Sequence, residues 1–278
     1  MPTSTSDPAP DARIALSAGR YAPRGAPGTT AASADEGSHS LHIDDFGVHV
    51  VALGTALPPW AEPTVVPLRS DDVELVILSS DDAVCAAWNR FMRGRPTAPA
   101  LQLIVHTEDD PGARIARDCR CATLEVSVRP RDRDTVAHAL AACAHGGELL
   151  IGTHAADLRT VTGVDAGQVV RGRAIVVDVL GDAGTATIAR DAIGRLTAVG
   201  HNGGRLMFQF VGQRDAAAFS LIALDACATA IIADDAGGDW ILSCSFSDRT
   251  ALVLVAFRRP ALIASTGAPI GAVNQEAC

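Results

Sequence analysis

Short apolar runs separated by helix-like and irregular stretches dominate the chain. Phe46 to Leu53, Val73 to Leu78, Leu101 to His106 and Ala122 to Val128 read as strands, because runs of this length rich in Val, Leu and Ile fill buried parallel sheets. Between them, Ala83 to Gly94 carries apolar residues at helical spacing, with Ser79-Ser80-Asp81-Asp82 as its N-cap signal and Gly94 as its stop. A short helical piece is expected at Ala113 to Cys119, and a helix of about 13 residues from Asp132 to Ala144, ended by Gly146-Gly147. Further on, Arg173 to Leu180, Arg205 to Val211, Trp240 to Phe246 and Ala251 to Phe257 read as strands, and Thr185 to Leu196 and Ala216 to Ile232 as helices.

Strands alternating with helices predict a doubly wound, mostly parallel sheet in the first part. The second part, in the order β-α-β-α-β-β, predicts an α/β sandwich of one sheet with helices on one face. The expected organisation is a disordered leader at 1–38, a truncated Rossmann-like domain at 39–148, a connecting loop at 149–165, a second α/β domain at 166–260 and a tail at 261–278. The leader assignment rests on its Pro, Ala, Ser, Thr and Gly content.

Composition narrows the chemistry. The chain has 278 residues and a net charge of −9, which argues against a nucleic-acid surface. All 23 positive residues are Arg, so neither a Schiff-base lysine nor a G-x-x-x-x-G-K-[ST] phosphate loop is possible. The seven cysteines are odd in number and sit mostly in apolar runs, the pattern of buried thiols in a reducing compartment. Cys119-Arg120-Cys121 has no second pair or His partner at zinc spacing, so no metal site is expected. With no apolar h-region near the start and no run of 18 apolar residues, neither a Sec signal nor a membrane span is expected, and the location expected is cytoplasmic.

The loop Ile151-Gly152-Thr153-His154-Ala155-Ala156-Asp157-Leu158-Arg159-Thr160-Val161 resembles the loop that ends the central helix in the FtsZ/tubulin superfamily, with the bacterial pattern I-N-x-D-F-A-D-[VI]-[RK]-T-V. Asp157, Arg159, Thr160 and Val161 match; Gly152, His154 and Ala155 replace the Asn, the first Asp and the Phe. Gly172 to Ile175 resembles the G-R-A-L start of the second FtsZ domain. The strand in Gly203 to Asp215 and the pair in Ser243 to Phe257 then follow in the family's order, so the likeness runs from Leu149 to Arg259.

This resemblance implies a subunit that stacks head to tail on itself or on another FtsZ-like chain, with Asp157 as the catalytic carboxylate. His154 beside it could orient a proton shuttle. It also implies GTP as cofactor, held by Gly-rich loops that bring backbone N–H groups to phosphate. The chain departs from the family here: Val73 to Leu78 is followed by Ser79-Ser80-Asp81-Asp82 with no Gly, and Gly54 stands alone. Two carboxylates at a helix N-terminus repel a triphosphate by on the order of 4 kcal/mol per pair. The expectation is therefore an FtsZ-like protein degenerate in GTP binding that acts in cell division or filament regulation, more as a binding partner than as an enzyme. An active GTPase is the first alternative. A small-molecule enzyme on an unrelated α/β fold, using Asp81, Asp82 or His154, is the second.

Overall fold

The computed structural model describes residues 16–21, 47–63, 67–79, 81–107, 115–146, 153–178, 205–212, 240–246 and 251–258, and positions 187, 191, 194 and 229. The strands are β1 (Leu16–Tyr21), β2 (Val48–Leu53), β3 (Ala61–Pro63), β4 (Val73–Leu78), β5 (Leu101–His106), β6 (Ala122–Ser127), β7 (Val169–Asp178), β8 (Arg205–Gly212), β9 (Trp240–Phe246) and β10 (Ala251–Phe257). The α-helices whose bounds fall among the described residues are α1 (Asp82–Arg93), α2 (Arg133–His145) and α3 (Ala155–Thr162). The sequence expectations at Thr185 to Leu196, at Ala216 to Ile232 and in the tail lie outside the described residues, apart from single positions.

All ten strands join one sheet in the order β3-β1-β2-β4-β5-β6-β7-β10-β8-β9. Strands β2, β4, β5, β6 and β7 run parallel in succession. Beyond β7 the sheet turns antiparallel through β10 to β8, and β9 lies parallel to β8 at the edge. The two halves predicted by the sequence thus meet edge to edge where β6 and β7 pair, from Thr123 opposite Val169 to Ser127 opposite Arg173.

Strand alternation divides the core between the two faces. One face carries Val50, Leu75, Leu103, Leu124, Ala174 and Val255 beneath α2. The other carries Val51, Val76 and Ile104 beneath Val84, Cys85 and Trp88 of α1. Helix α2 is buried at every position from Val136 to Ala144, which explains its weak amphipathicity, since a helix apolar all round belongs inside. Its five alanines let it lie close to the sheet, where it touches strands from both halves, β2 and β4 as well as β8 and β10. It stops at Gly146, whose φ of 72° is the left-handed conformation glycine adopts most cheaply.

Three local expectations are corrected. Residues 16–21 fall within the stretch read as a disordered leader, yet they form β1, paired to both β2 and β3. The reason is tertiary: the Tyr21 ring packs 5.9 Å from Trp60, 5.7 Å from His138 and 5.4 Å from His145. Residues 115–119 of the expected helical piece are not helical. Their backbone is bound elsewhere, with the Ala116 carbonyl accepting from Trp88 Nε1 at 2.8 Å and the Ala116 N–H donating to Asn89 Oδ1 at 2.6 Å. Within the expected connecting loop, Ala155–Thr162 forms α3, which packs on α2.

Candidate functional site

In doubly wound sheets ligands bind beyond the carboxyl ends of the strands. β2 ends there in Leu53-Gly54-Thr55 and β4 leads into α1. Gly54 has φ 72°, and a Cβ on it would lie 2.6 Å from Val84 Cγ2, so the first turn of α1 is seated directly on the glycine. Asp81 caps the same turn: its Oδ1 accepts from the N–H groups of Ala83 at 2.8 Å and Val84 at 3.4 Å. Two of the N–H donors that make a helix start an anion site are therefore already occupied by a carboxylate of the chain itself. Asp82 follows as the first helical residue. Arg133 reaches this end from the start of α2, its Nη2 donating to Thr55 Oγ1 at 3.3 Å.

Asp157 and His154 lie at the opposite end. α2 begins after the carboxyl end of β6 and crosses the sheet, so α3 and the turn after it sit by the amino ends of the strands, where Gly167 N–H donates to the Cys121 carbonyl at 2.9 Å. Asp157 is the third residue of α3, and its Oδ2 accepts from the His154 backbone N–H at 2.8 Å. The bond comes from the main chain of His154, not from its ring, so it caps the helix rather than building an acid–base dyad. The His154 ring instead covers Gly146 at the end of α2, where any Cβ would collide with it. Asp157, His154, Ala156 and Thr160 are exposed, whereas Leu158 is fully buried. The structure thus separates the acids proposed from sequence: Asp81 and Asp82 on one end, Asp157 with His154 on the other. Among the described residues no group of three His, Cys, Asp or Glu side chains gathers as a metal site.

The sequence matches no protein-family profile and no curated protein. Among solved structures it is similar to an FtsZ mutant from M. jannaschii, with 11% identity over 68% of this chain and 65% of that one at a TM-score of 0.39. It is also similar to CetZ2 from Haloferax volcanii in a GTPγS-bound protofilament, with 10% identity over 68% and 66% of the two chains at a TM-score of 0.39. A third is TubZ from Bacillus thuringiensis serovar israelensis, with 10% identity over 67% and 60% at a TM-score of 0.36. The likeness is one of fold. The chain spans about 65% of the length of that FtsZ. No helix among the described residues is long and apolar enough to cross a membrane.

A second constellation, not singled out by sequence reasoning, lies on the α1 side of the sheet near the strands' amino ends. The second residue of β2, β4, β5 and β6 is His49, Glu74, Gln102 and Thr123, and the pairing registers set these four side by side in one buried row. Glu74 Oε2 accepts from Arg95 Nη1 at 2.7 Å and from Gln102 Nε2 at 2.8 Å, and His49 Nε2 lies 2.9 Å from Asp72 Oδ2. Burial holds the His49 pKa below its ordinary value against the pull of Asp72. Next along, Glu125 accepts from Arg117 at 2.6 Å and from Arg171 at 3.2 Å. The signal for this row was one polar residue at the same place in each apolar run, which becomes a constellation only once the register is known.

Proposed function

We propose that the chain is an FtsZ-like subunit that acts through subunit–subunit contacts in cell division or filament regulation and does not hold GTP tightly. The observation that carries this reading is the self-capped start of α1. Asp81 fills the N–H groups that a phosphate needs, Val84 sits on Gly54, and Asp82 adds a like charge. Support for the contact role comes from the resemblance of Ile151 to Val161 and from the position of α3, whose exposed residues lie at the end of the sheet opposite the start of α1. In a head-to-tail stack these two ends face each other. The proposed partner is a second copy or another FtsZ-like chain, in the cytoplasm.

The test is binding of a fluorescent GTP analogue with magnesium, together with sedimentation alone and with a polymerising FtsZ. We expect no saturable GTP binding up to millimolar concentration, and self-association or co-sedimentation that Ala156→Arg on the exposed face of α3 abolishes. Saturable GTP binding with turnover lost in Asp157→Ala would establish the GTPase instead. Failure to associate with either partner would remove the contact role.

A further inference from the structure

Strand β1 stands between β2 and β3, and its two large described side chains, Arg20 and Tyr21, point to opposite faces of the sheet. Both meet histidine. Tyr21 packs on His138 and His145 of α2. Arg20 lies on the α1 face directly across from His49 of β2, the closest kind of cross-strand neighbour.

The charges around His49 balance while its ring is neutral. Arg20 faces it from β1, Asp72 from the turn before β4, Glu74 from β4, and Arg95, paired with Glu74, from the segment after α1. Two cations thus meet two carboxylates, and a proton on His49 adds one positive charge to a residue only 7% exposed. These groups differ in what holds them. Asp72 accepts from the Gly47 N–H at 3.2 Å and the Arg69 N–H at 2.8 Å, and Glu74 accepts from Arg95 and Gln102, so both carboxylates belong to the frame of β2, β4 and β5. Arg20 comes with β1. Its guanidinium rests over Gly47, where any Cβ would collide with Nη2, and its Nε is buried without a hydrogen-bond partner. Burial opposes a proton on His49 most, and the Arg20 charge opposes it too; Asp72 and Glu74 favour it. When β1 leaves, Arg20 and part of the cover go with it, and the carboxylates stay.

We infer that β1 is a strand released by acid: neutral His49 lets Arg20 dock beside it, and a proton on the imidazole drives Arg20, with β1 and its partner β3, off the sheet while the strands from β2 inward stay folded. The sign follows from linkage. With β1 released, the imidazole lies in water beside two carboxylates and binds a proton at or above the ordinary value of about 6.5. The docked strand allows it only at lower pH, so protons select the released state. Docking is complete above the released value and is lost as pH falls through the lower docked one. Release uncovers the backbone edge of β2, a strand buried at every position, as a template for pairing with another strand. The device involves neither α3 nor the start of α1 and stands whether or not the chain associates with FtsZ-like partners.

Amide exchange of the full chain, read by mass spectrometry at pH 7 and pH 5.5 and corrected for the intrinsic rate at each, tests this by comparing residues 16–21 with β5 in the middle of the sheet. Protection of 16–21 is expected to fall about fivefold between the two pH values, and that of β5 by less than about twofold. In His49→Gln, whose side chain is polar but takes up no proton, the fall at 16–21 is expected to shrink to less than about twofold. A merely structural part for His49 would lower protection equally at both pH values and leave the slope. If His49→Gln fails to fold, His49→Val, the residue type that fills the same face at Val51, takes its place with the same expectation. The inference is overturned if 16–21 and β5 lose protection together, if 16–21 stays protected at pH 5.5, or if the folded variant keeps the original slope, which would assign the release to His138 or His145.

Discussion

At the level of single residues, Asp81 and Gly146 show how much of the fold is set by helix ends. Asp81→Ala removes the cap from two N–H groups of α1 and is expected to cost about 1 kcal/mol in chemical unfolding. Gly146→Ala forces a Cβ into the His154 ring at a left-handed φ of 72° and is expected to cost about 1–2 kcal/mol or more, because strain and collision add. The thiols divide by burial. Cys121 and Cys143 are pushed up to about 11 and Cys244 to about 12, each chiefly by loss of solvent, while Cys119 is exposed. Brief alkylation at pH 8 followed by peptide mapping should therefore mark Cys119 and spare Cys121 two positions away.

His49 gives the residue scale a pH dependence with a definite sign. Its folded pKa is lowered by burial, so the unfolded chain binds a proton first as the solution is acidified. The stability tied to neutral His49 is complete above the ordinary histidine value of about 6.5 and is lost as pH falls through the lower folded pKa. A denaturation series from pH 8 to pH 5 should show a decline that His49→Gln flattens. Asp118 adds a second loss at more acid pH. Its hydrogen bond to Arg120 lowers its pKa, so its contribution is present above the usual carboxylate range and disappears below it.

At the scale of elements, local signals set the strands and the caps. Each of β4 and β5 coincides with its apolar run, and α1 begins at the Asp81 cap and ends against Gly94. Gly94 stops the helix with φ −96°, outside the left-handed region, so any residue can adopt the backbone there, unlike at Gly146. Helix α3 was not legible as a helix, because its eight residues are too few to be stable alone. It forms because Leu158 is buried against the core, with Val161 packed alongside, and its first turn is closed by Asp157. β1 has the same origin: its six residues gain their place from β2, β3 and the Tyr21 ring contacts. The candidate site was legible in part: Asp81 was read as a cap from the local sequence, whereas the row from His49 to Thr123 depends on registers between distant strands.

At the scale of the whole molecule, the sheet is continuous through β6 and β7, and α2 lies against strands of both halves. Cutting the sheet at that pair would expose Leu124 and Val170, which are fully or almost fully buried. Unfolding in a single cooperative step is therefore expected. Variants that each keep one tryptophan, Trp60 or Trp88 in the first half or Trp240 in the second, should report coincident urea transitions. Two separated midpoints would show that the halves are independent units.

The sequence by itself determined eight of the ten described strands, the N-cap of α1, the glycine that ends α2, the lack of lysine chemistry and the want of a Gly-rich phosphate loop. Each of these follows from composition or from residues within a few positions of one another. Tertiary structure alone decided that residues 16–21 are a strand, that Asp157 caps a helix far from Asp81, and that His49, Glu74 and Gln102 share one buried row. Those outcomes depend on pairing between strands remote in sequence, and the energy that selects a register comes from the buried faces it brings together.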